Sequence, residues 1–284
     1  MAEQTKAIIN QEEARIRWLK SLEQRDRRRF FPSGFSIHDR VAGNFLRGSQ
    51  YIVAARPGVG KSAYLVAVAY NLARAGTKTI YASLEIPIER IWNRLACLHD
   101  PNLKLRELNE TEPTPEKVRH LESLSRELVN FSPMFFEDSD FTSFVKTMKQ
   151  EVPPGSDSII LIDYAGLFTL KGLGPQERYW LTSEVAKQLS ILARGLDIPI
   201  VTAVQFNRAI ESRKDKKPTL ADLRDTGEWE NHARGVFMFI REVEDRLDVY
   251  IEKNTEGPAN VSYSLHFDGP RAAVEEFDDF STKN

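Results

Sequence analysis

Eight consecutive residues carry the most legible chemistry of this sequence: Ala55-Arg56-Pro57-Gly58-Val59-Gly60-Lys61-Ser62. They follow an apolar run and precede a helical one. In that setting a glycine-rich turn aims successive backbone N–H groups inward, where a helix N-terminus adds positive potential. Such a cradle binds phosphate. The common pattern is G-x-x-x-x-G-K-[ST], and Ala55 takes the place of its first glycine. The spacing assigns Arg56, Pro57, Gly58, Val59 and Gly60 to the loop around a nucleoside triphosphate. It assigns Lys61 to the β- and γ-phosphates and Ser62 to Mg2+. An ordinary strand-turn-helix connection has no need of Gly-Lys-Ser.

Phosphate chemistry with Mg2+ also needs carboxylates. Asp163 ends the apolar run SIILID, the place for a second Mg2+ ligand. Glu85 ends TIYASLE, where a carboxylate can orient the attacking water as general base, although strand ends also carry plain surface acids. Gln205 ends IPIVTAVQ, where a neutral amide can sense the γ-phosphate or simply cap the strand. Three polar residues ending three apolar strands would converge on one edge of a sheet, the edge where open α/β sheets bind ligands.

The elements that must position them alternate. Strands are predicted at Gln50 to Ala55, Thr77 to Leu84, Pro133 to Phe136, Ser158 to Asp163 and Pro199 to Val204. Between them the pattern predicts helices at Lys61 to Ala75 (stopped by Gly76), Ile88 to Leu98, Glu116 to Val129, Phe144 to Glu151 and Trp180 to Gly195. Asp100 to Pro115 is polar and reads as loop and broken helix. Strand-like runs Val236 to Ile240, Leu247 to Glu252 and Val261 to Phe267 close the chain as hairpin material. The implied fold is α/β, a mainly parallel central sheet with helices on both faces. Ahead of it, Ile8, Ile9, Ile16, Leu19 and Leu22 give the first 31 residues the stripe of an amphipathic helix, which packs on its own domain or docks on a neighbour.

Composition narrows the class. A chain of 284 residues, 41% hydrophobic and 28% charged, buries a core and is globular rather than disordered. The net charge of -2 means that an anionic partner must be met by local patches. A single cysteine, Cys97, excludes an internal disulfide and fits a reducing compartment, with burial in a helix its plainest role. No apolar run has the length of a membrane span and no signal-peptide core opens the chain, so a soluble, cytoplasmic protein is expected.

The motifs taken in order resemble the RecA-like motor domain of the DnaB-type replicative helicases. AARPGVGKS resembles that family's P-loop, alanine included; SLEIP (Ser83 to Pro87) resembles its catalytic-glutamate motif. ILIDYAGL (Ile160 to Leu167) is similar to its Walker B strand, and VQFNRAIESRKDKKPTLADLRDTG (Val204 to Gly227) to its glutamine switch, basic loop and D-L-R-[ED]-[ST]-G segment. The resemblance spans about Phe35 to Phe267. It implies a RecA-like ATPase domain over 32–284 preceded by a linker helix over 1–31, with ATP and Mg2+ as cofactors. It further implies a homo-oligomeric ring, a hexamer, with ATP between subunits and single-stranded DNA in the pore. Arg224, Asp225 and Gly227 match positions that contact DNA phosphates. Arg208, Arg213 and Lys214, with Lys216 and Lys217, supply a basic loop that would add salt-sensitive, sequence-neutral contacts or stay solvated.

Two departures from the family pattern stand out. The family's N-terminal helical domain, which meets primase, is matched here only by the leading helix; primase, a helicase loader or another replication protein therefore remain open partners, as in a compact phage or mobile-element version. The family's arginine finger lies in a K-Q-R-N-G-P-like segment, which reads Lys253-Asn254-Thr255-Glu256-Gly257-Pro258 here. Lys253 is kept as a catalytic candidate, and threonine stands where the arginine belongs. Either Lys253 or a displaced Arg241 or Arg271 serves the site, or turnover is slow and the protein binds ATP and DNA while assembling with or loading another helicase. The tail acids Glu275, Glu276, Asp278 and Asp279 read as solvated.

Overall fold

Runs that are apolar without alternation become strands buried on both faces, as a helix-covered parallel sheet requires. Every residue of β3 (Gln50–Ala55) and β6 (Ser158–Asp163) is buried, as is all of β7 (Ile200–Gln205) but its terminal glutamine. The structure, a computed structural model, describes residues 10–23, 30–207, 210, 213, 217–223 and 227–277. Its main sheet has nine strands, in the order β11-β10-β9-β8-β3-β7-β6-β4-β5. The remaining members are β4 (Lys78–Ser83), β5 (Met134–Phe136), β8 (Gly235–Val243), β9 (Arg246–Asn254), β10 (Val261–Asp268) and β11 (Ala273–Glu275). The pairings from β8 through β5 are parallel; those among β8, β9, β10 and β11 are antiparallel. The α/β class and the terminal hairpins are as the sequence implied.

Helices cover both faces. On one lie α3 (Lys61–Arg74) and α4 (Ile88–His99), whose Tyr64, Leu65, Val68, Ile91 and Leu95 pack on Val53, Tyr81, Leu161 and Val201. On the other lie α7 (Phe141–Glu151), α8 (Arg178–Leu196) and α9 (Glu228–His232), whose Phe144, Leu189, Ala193 and Trp229 meet Ile52, Ile160, Ile162 and Val236. Alternate residues of one strand thus serve opposite layers.

Some boundaries moved for local reasons. Helix α7 starts three residues before the expected Phe144, because Asp140 accepts the Ser143 N–H at 2.9 Å and caps it. The Asp100 to Pro115 stretch holds a short α5 (Leu105–Glu110), and Pro115 opens α6 (Pro115–Leu128) with Thr114 as its cap. Unforeseen elements are α2 (Ser36–Val41), α9, β11 and the small pair β1 (Phe30–Phe31) and β2 (Phe45–Leu46), each too short to show a periodicity. Of the leading helix, α1 (Gln11–Glu23) is described; Ile16 and Trp18 lie 41% and 59% exposed, and Leu19 is half-buried. Ile8 and Ile9 lie outside the described residues.

Candidate nucleotide site

Strand register brings the polar ends together. Ala55, which opens the glycine loop, pairs with Gln205, and Ser83 pairs with Asp163, while the Ile162–Thr202 pair locks the two couples side by side. The Phe206 N–H donates to the Ala55 carbonyl at 3.2 Å and the Leu84 N–H to the Asp163 carbonyl at 2.9 Å, extending both pairings beyond the strands. The Ser83 hydroxyl donates to the Ile86 carbonyl and closes the turn that carries Glu85. Lys61, Ser62, Glu85 and Gln205 line one cleft of about 310 Å3 at the C-terminal edge of the parallel strands. Asp163 lies fully buried just behind it.

The glycine loop has the backbone that the sequence implied. Gly58 and Gly60 take φ of 78° and 132°, and a Cβ on Gly60 would also stand 3.1 Å from the Phe267 ring. Lys61 is buried, and its ammonium donates to the Ala55 carbonyl at 3.1 Å and the Arg56 carbonyl at 3.3 Å. Burial lowers the pKa of that ammonium, while the nearby charges of Asp163 and Glu85 oppose the shift. Glu85 stands at the exposed rim. Its carboxyl is raised above the ordinary range, first by partial desolvation, then by Asp163, with Lys61 opposing. Partial burial and one like charge move a carboxylate toward the pKa of a working general base.

These groups fit a Mg2+–triphosphate. The donors are a buried ammonium and a glycine loop at the start of α3. One oxygen of Asp163, Oδ1, is buried and has no hydrogen-bond partner among the described residues. No cluster of three His, Cys, Asp or Glu side chains that could hold a metal ion occurs among those residues. An orphaned carboxylate oxygen beside a phosphate loop suits Mg2+, which binds through one or two protein oxygens plus phosphates.

Several site residues escaped the sequence reading. Arg94 of α4, with Ile86, Phe267 and Ala272, completes the cleft wall. Arg241 donates to the Gly58 carbonyl at 3.0 Å and lies over the Phe267 ring at 4.0 Å. It therefore braces the loop of its own chain. Arg271 is buried between Asp268 (2.7 Å) and Glu275 (2.6 Å), a structural commitment. That pair, with Glu276 accepting the Ile37 N–H at 2.7 Å, corrects the expectation that these two tail acids are merely solvated: they fasten the C-terminal segment to the domain. Asp278 and Asp279 lie outside the described residues. Cys97 is buried in α4 as expected, and its thiol is pushed up to about 11 by burial.

Lys253, Arg213 and Gly227 are not among the residues that line the cleft. Lys253 pairs with Val236 at the start of β8, and the Thr255 N–H donates to the Arg234 carbonyl. The Arg234 N–H in turn donates to the Gln50 carbonyl, so this segment sits at the other end of β3 from the glycine loop. Along β3, Gln50 lies five residues, about 17 Å, from Ala55, and Lys253, level with Val236 and Ile52, lies three residues, about 10 Å, short of it. The Lys253 ammonium donates to the Glu230 carbonyl at 2.6 Å. Arg213 is tied to Asp222 at 2.7 Å and to the Lys217 carbonyl at 2.9 Å, and Gly227 caps the start of α9. Arg208, Lys214, Arg224 and Asp225 lie outside the described residues.

Known proteins share this arrangement. The chain is 31% identical over 245 residues to the Replicative DNA helicase DnaB of Geobacillus stearothermophilus, covering 81% of this chain and 53% of that protein. It is 30% identical over 295 residues to the Replicative DNA helicase DnaC of Bacillus subtilis (strain 168), covering 97% and 62%. The chain thus spans between half and two thirds of these relatives' length. A solved DnaB-like replicative helicase, described together with its interactions with primase, superposes with a TM-score of 0.82 at 25% identity, over 95% of this chain and 69% of that one. A second solved structure, an isolated ATPase domain, shares the fold (TM-score 0.81, 24% identity, 95% and 99% covered). Residues 31–276 match the family described as DnaB-like helicase C terminal domain, and with these matches the chain belongs to that family.

Proposed function

We propose that the chain is the motor of a ring-forming, ATP-dependent single-stranded-DNA translocase, a DNA helicase acting in replication. What supports this reading is that Lys253 lies outside the cleft lined by Lys61, Glu85 and Gln205, so that a nucleotide bound there would meet the Lys253 of a neighbouring copy. Lys61 and the N–H groups of the glycine loop hold the β- and γ-phosphates. Ser62 and Asp163 hold Mg2+, which when bound offsets phosphate charge in the transition state. Glu85 takes the proton of the attacking water, and Gln205 hydrogen-bonds the γ-phosphate and couples it to the loop that follows. That loop, the Arg224 side chain and the backbone N–H groups of Asp225 and Gly227 contact DNA phosphates, with Arg208, Arg213 and Lys214 adding charge. The exposed side of α1 docks on the next copy, as a linker. Steady-state ATP hydrolysis with and without single-stranded DNA tests the reading: stimulation, together with strand separation, is expected. Absence of both removes it.

A second reading rests on Thr255. With no arginine there, the three candidates for its role are each engaged within their own chain: Arg241 with the Gly58 carbonyl, Arg271 with Asp268 and Glu275, and Lys253 with the Glu230 carbonyl. An ATP- and DNA-binding protein that assembles with or loads another helicase would show ATP-dependent assembly with negligible turnover.

A further inference from the structure

A tyrosine inside a strand buried on both faces carries a hydroxyl that costs stability unless it is paired. Tyr81 is such a residue. It lies fully buried in β4, between Ile80 and Ala82, with its ring against Phe135. It pairs in register with Leu161, two residues before Asp163, and its phenol reaches along β6 to donate to Asp163 Oδ2 at 2.8 Å. The hydrogen bond must run in this direction, because an ionised carboxylate only accepts.

The carboxylate is thereby divided. Oδ2 is held by a rigid aromatic side chain, whereas Oδ1 is buried and has no partner among the described residues. We propose that Tyr81 is a positioning residue for the metal end of the cleft, fixing Asp163 through Oδ2 so that Oδ1 stays presented to a divalent cation. This rests on the reading of Asp163 as a Mg2+ ligand. Groups that orient a ligating carboxylate from behind typically shift metal affinity by about tenfold or more when removed.

The test is Tyr81→Phe, which keeps the ring and deletes the donor. A fluorescent non-hydrolysable ATP analogue is titrated onto the protein in EDTA and then across a Mg2+ series. Binding in EDTA stays unchanged, and the Mg2+ concentration at half-effect rises about tenfold. An unchanged Mg2+ midpoint with a lowered Tm makes the hydroxyl merely structural and overturns the inference. Tyr81→Met, a flexible apolar filler without a donor, serves if the phenylalanine variant does not fold, with the same two outcomes. A wild-type protein whose nucleotide binding ignores Mg2+ sinks the parent reading of Asp163 and this inference with it. A Mg2+-dependent wild type with an unmoved variant sinks the inference alone.

Discussion

The two edges of the central sheet differ in which charged groups they tie down and which they turn toward a cleft. At the C-terminal edge of β3, β4, β6 and β7, Lys61 bonds to carbonyls of its own loop, Asp163 Oδ1 has no partner among the described residues, and Glu85 stands at the rim. At the other edge Lys253 is tied to the Glu230 carbonyl, Asn254 to the Ala42 carbonyl, Thr255 to the Arg234 carbonyl and Arg234 to Glu256, while the side-chain amide of the buried Gln50 and Nε of Arg234 have no partner among the described residues. Buried polar groups with poor partners cost stability, so they persist where a ligand completes them. The first edge is built to receive charge. The second is built to hold a lysine in place at a distance.

The sharpest way to break this comparison is Glu85→Gln. Turnover should fall by about 10²- to 10⁴-fold, with ATP-analogue binding retained. A variant that turns over normally removes Glu85 as the base. Mixing it with Lys253→Ala extends the test, because assemblies of the two contain some sites with both groups intact. Activity recovered on mixing places Lys253 in trans; none recovered places it in cis or out of the mechanism. Thr255→Arg should raise kcat by about tenfold or more if a finger is missing, well within what such arginines supply. An unchanged rate means that Lys253 already suffices.

Acidity separates chemistry from stability. The general base works ionised, so kcat should be full above the raised pKa of Glu85 and fall as pH drops through it. His38, buried between Tyr64, Tyr263 and Phe237, has its pKa lowered from 6.5 to about 3 by desolvation. The unfolded chain therefore takes up a proton below pH 6.5 that the folded chain refuses until about pH 3, and stability declines across that window as pH falls. At pH 5 the loss should be about 2 kcal/mol. Urea midpoints of the wild type and of His38→Gln at pH 7 and pH 5 check it: the wild-type midpoint must drop more. The smallest effect expected is that of Arg241→Ala, which unbraces Gly58. Nucleotide Kd should rise about two- to fivefold, the worth of one partly exposed cation–ring contact. No change would reduce Arg241 to a surface group.

Part of this was legible because it is local. A glycine with positive φ, a lysine after it and an aspartate ending an apolar hexad are constraints of the backbone and of strand burial, and each is set by its immediate neighbours in the chain. What depends on partners far along the chain was not. Arg271 looks as free as any arginine until Asp268 and Glu275 are seen around it. Tyr81 reads as one more apolar strand residue until Asp163, 82 positions away, is found on its hydroxyl. Helix α9 and strand β11 are too short to carry a period, and they exist because Trp229 and Val274 have layers to enter.

By itself the sequence determined the α/β class, the phosphate loop and the carboxylates and amide that accompany it, since strand-ending polar residues and glycine turns are dictated by short-range sterics and burial. Only the tertiary structure decided which charges are spent within the chain and which face the cleft. It also decided that Lys253 stands outside the cleft that holds Lys61, because register and sheet order, set by packing between distant segments, fix where each side chain stands.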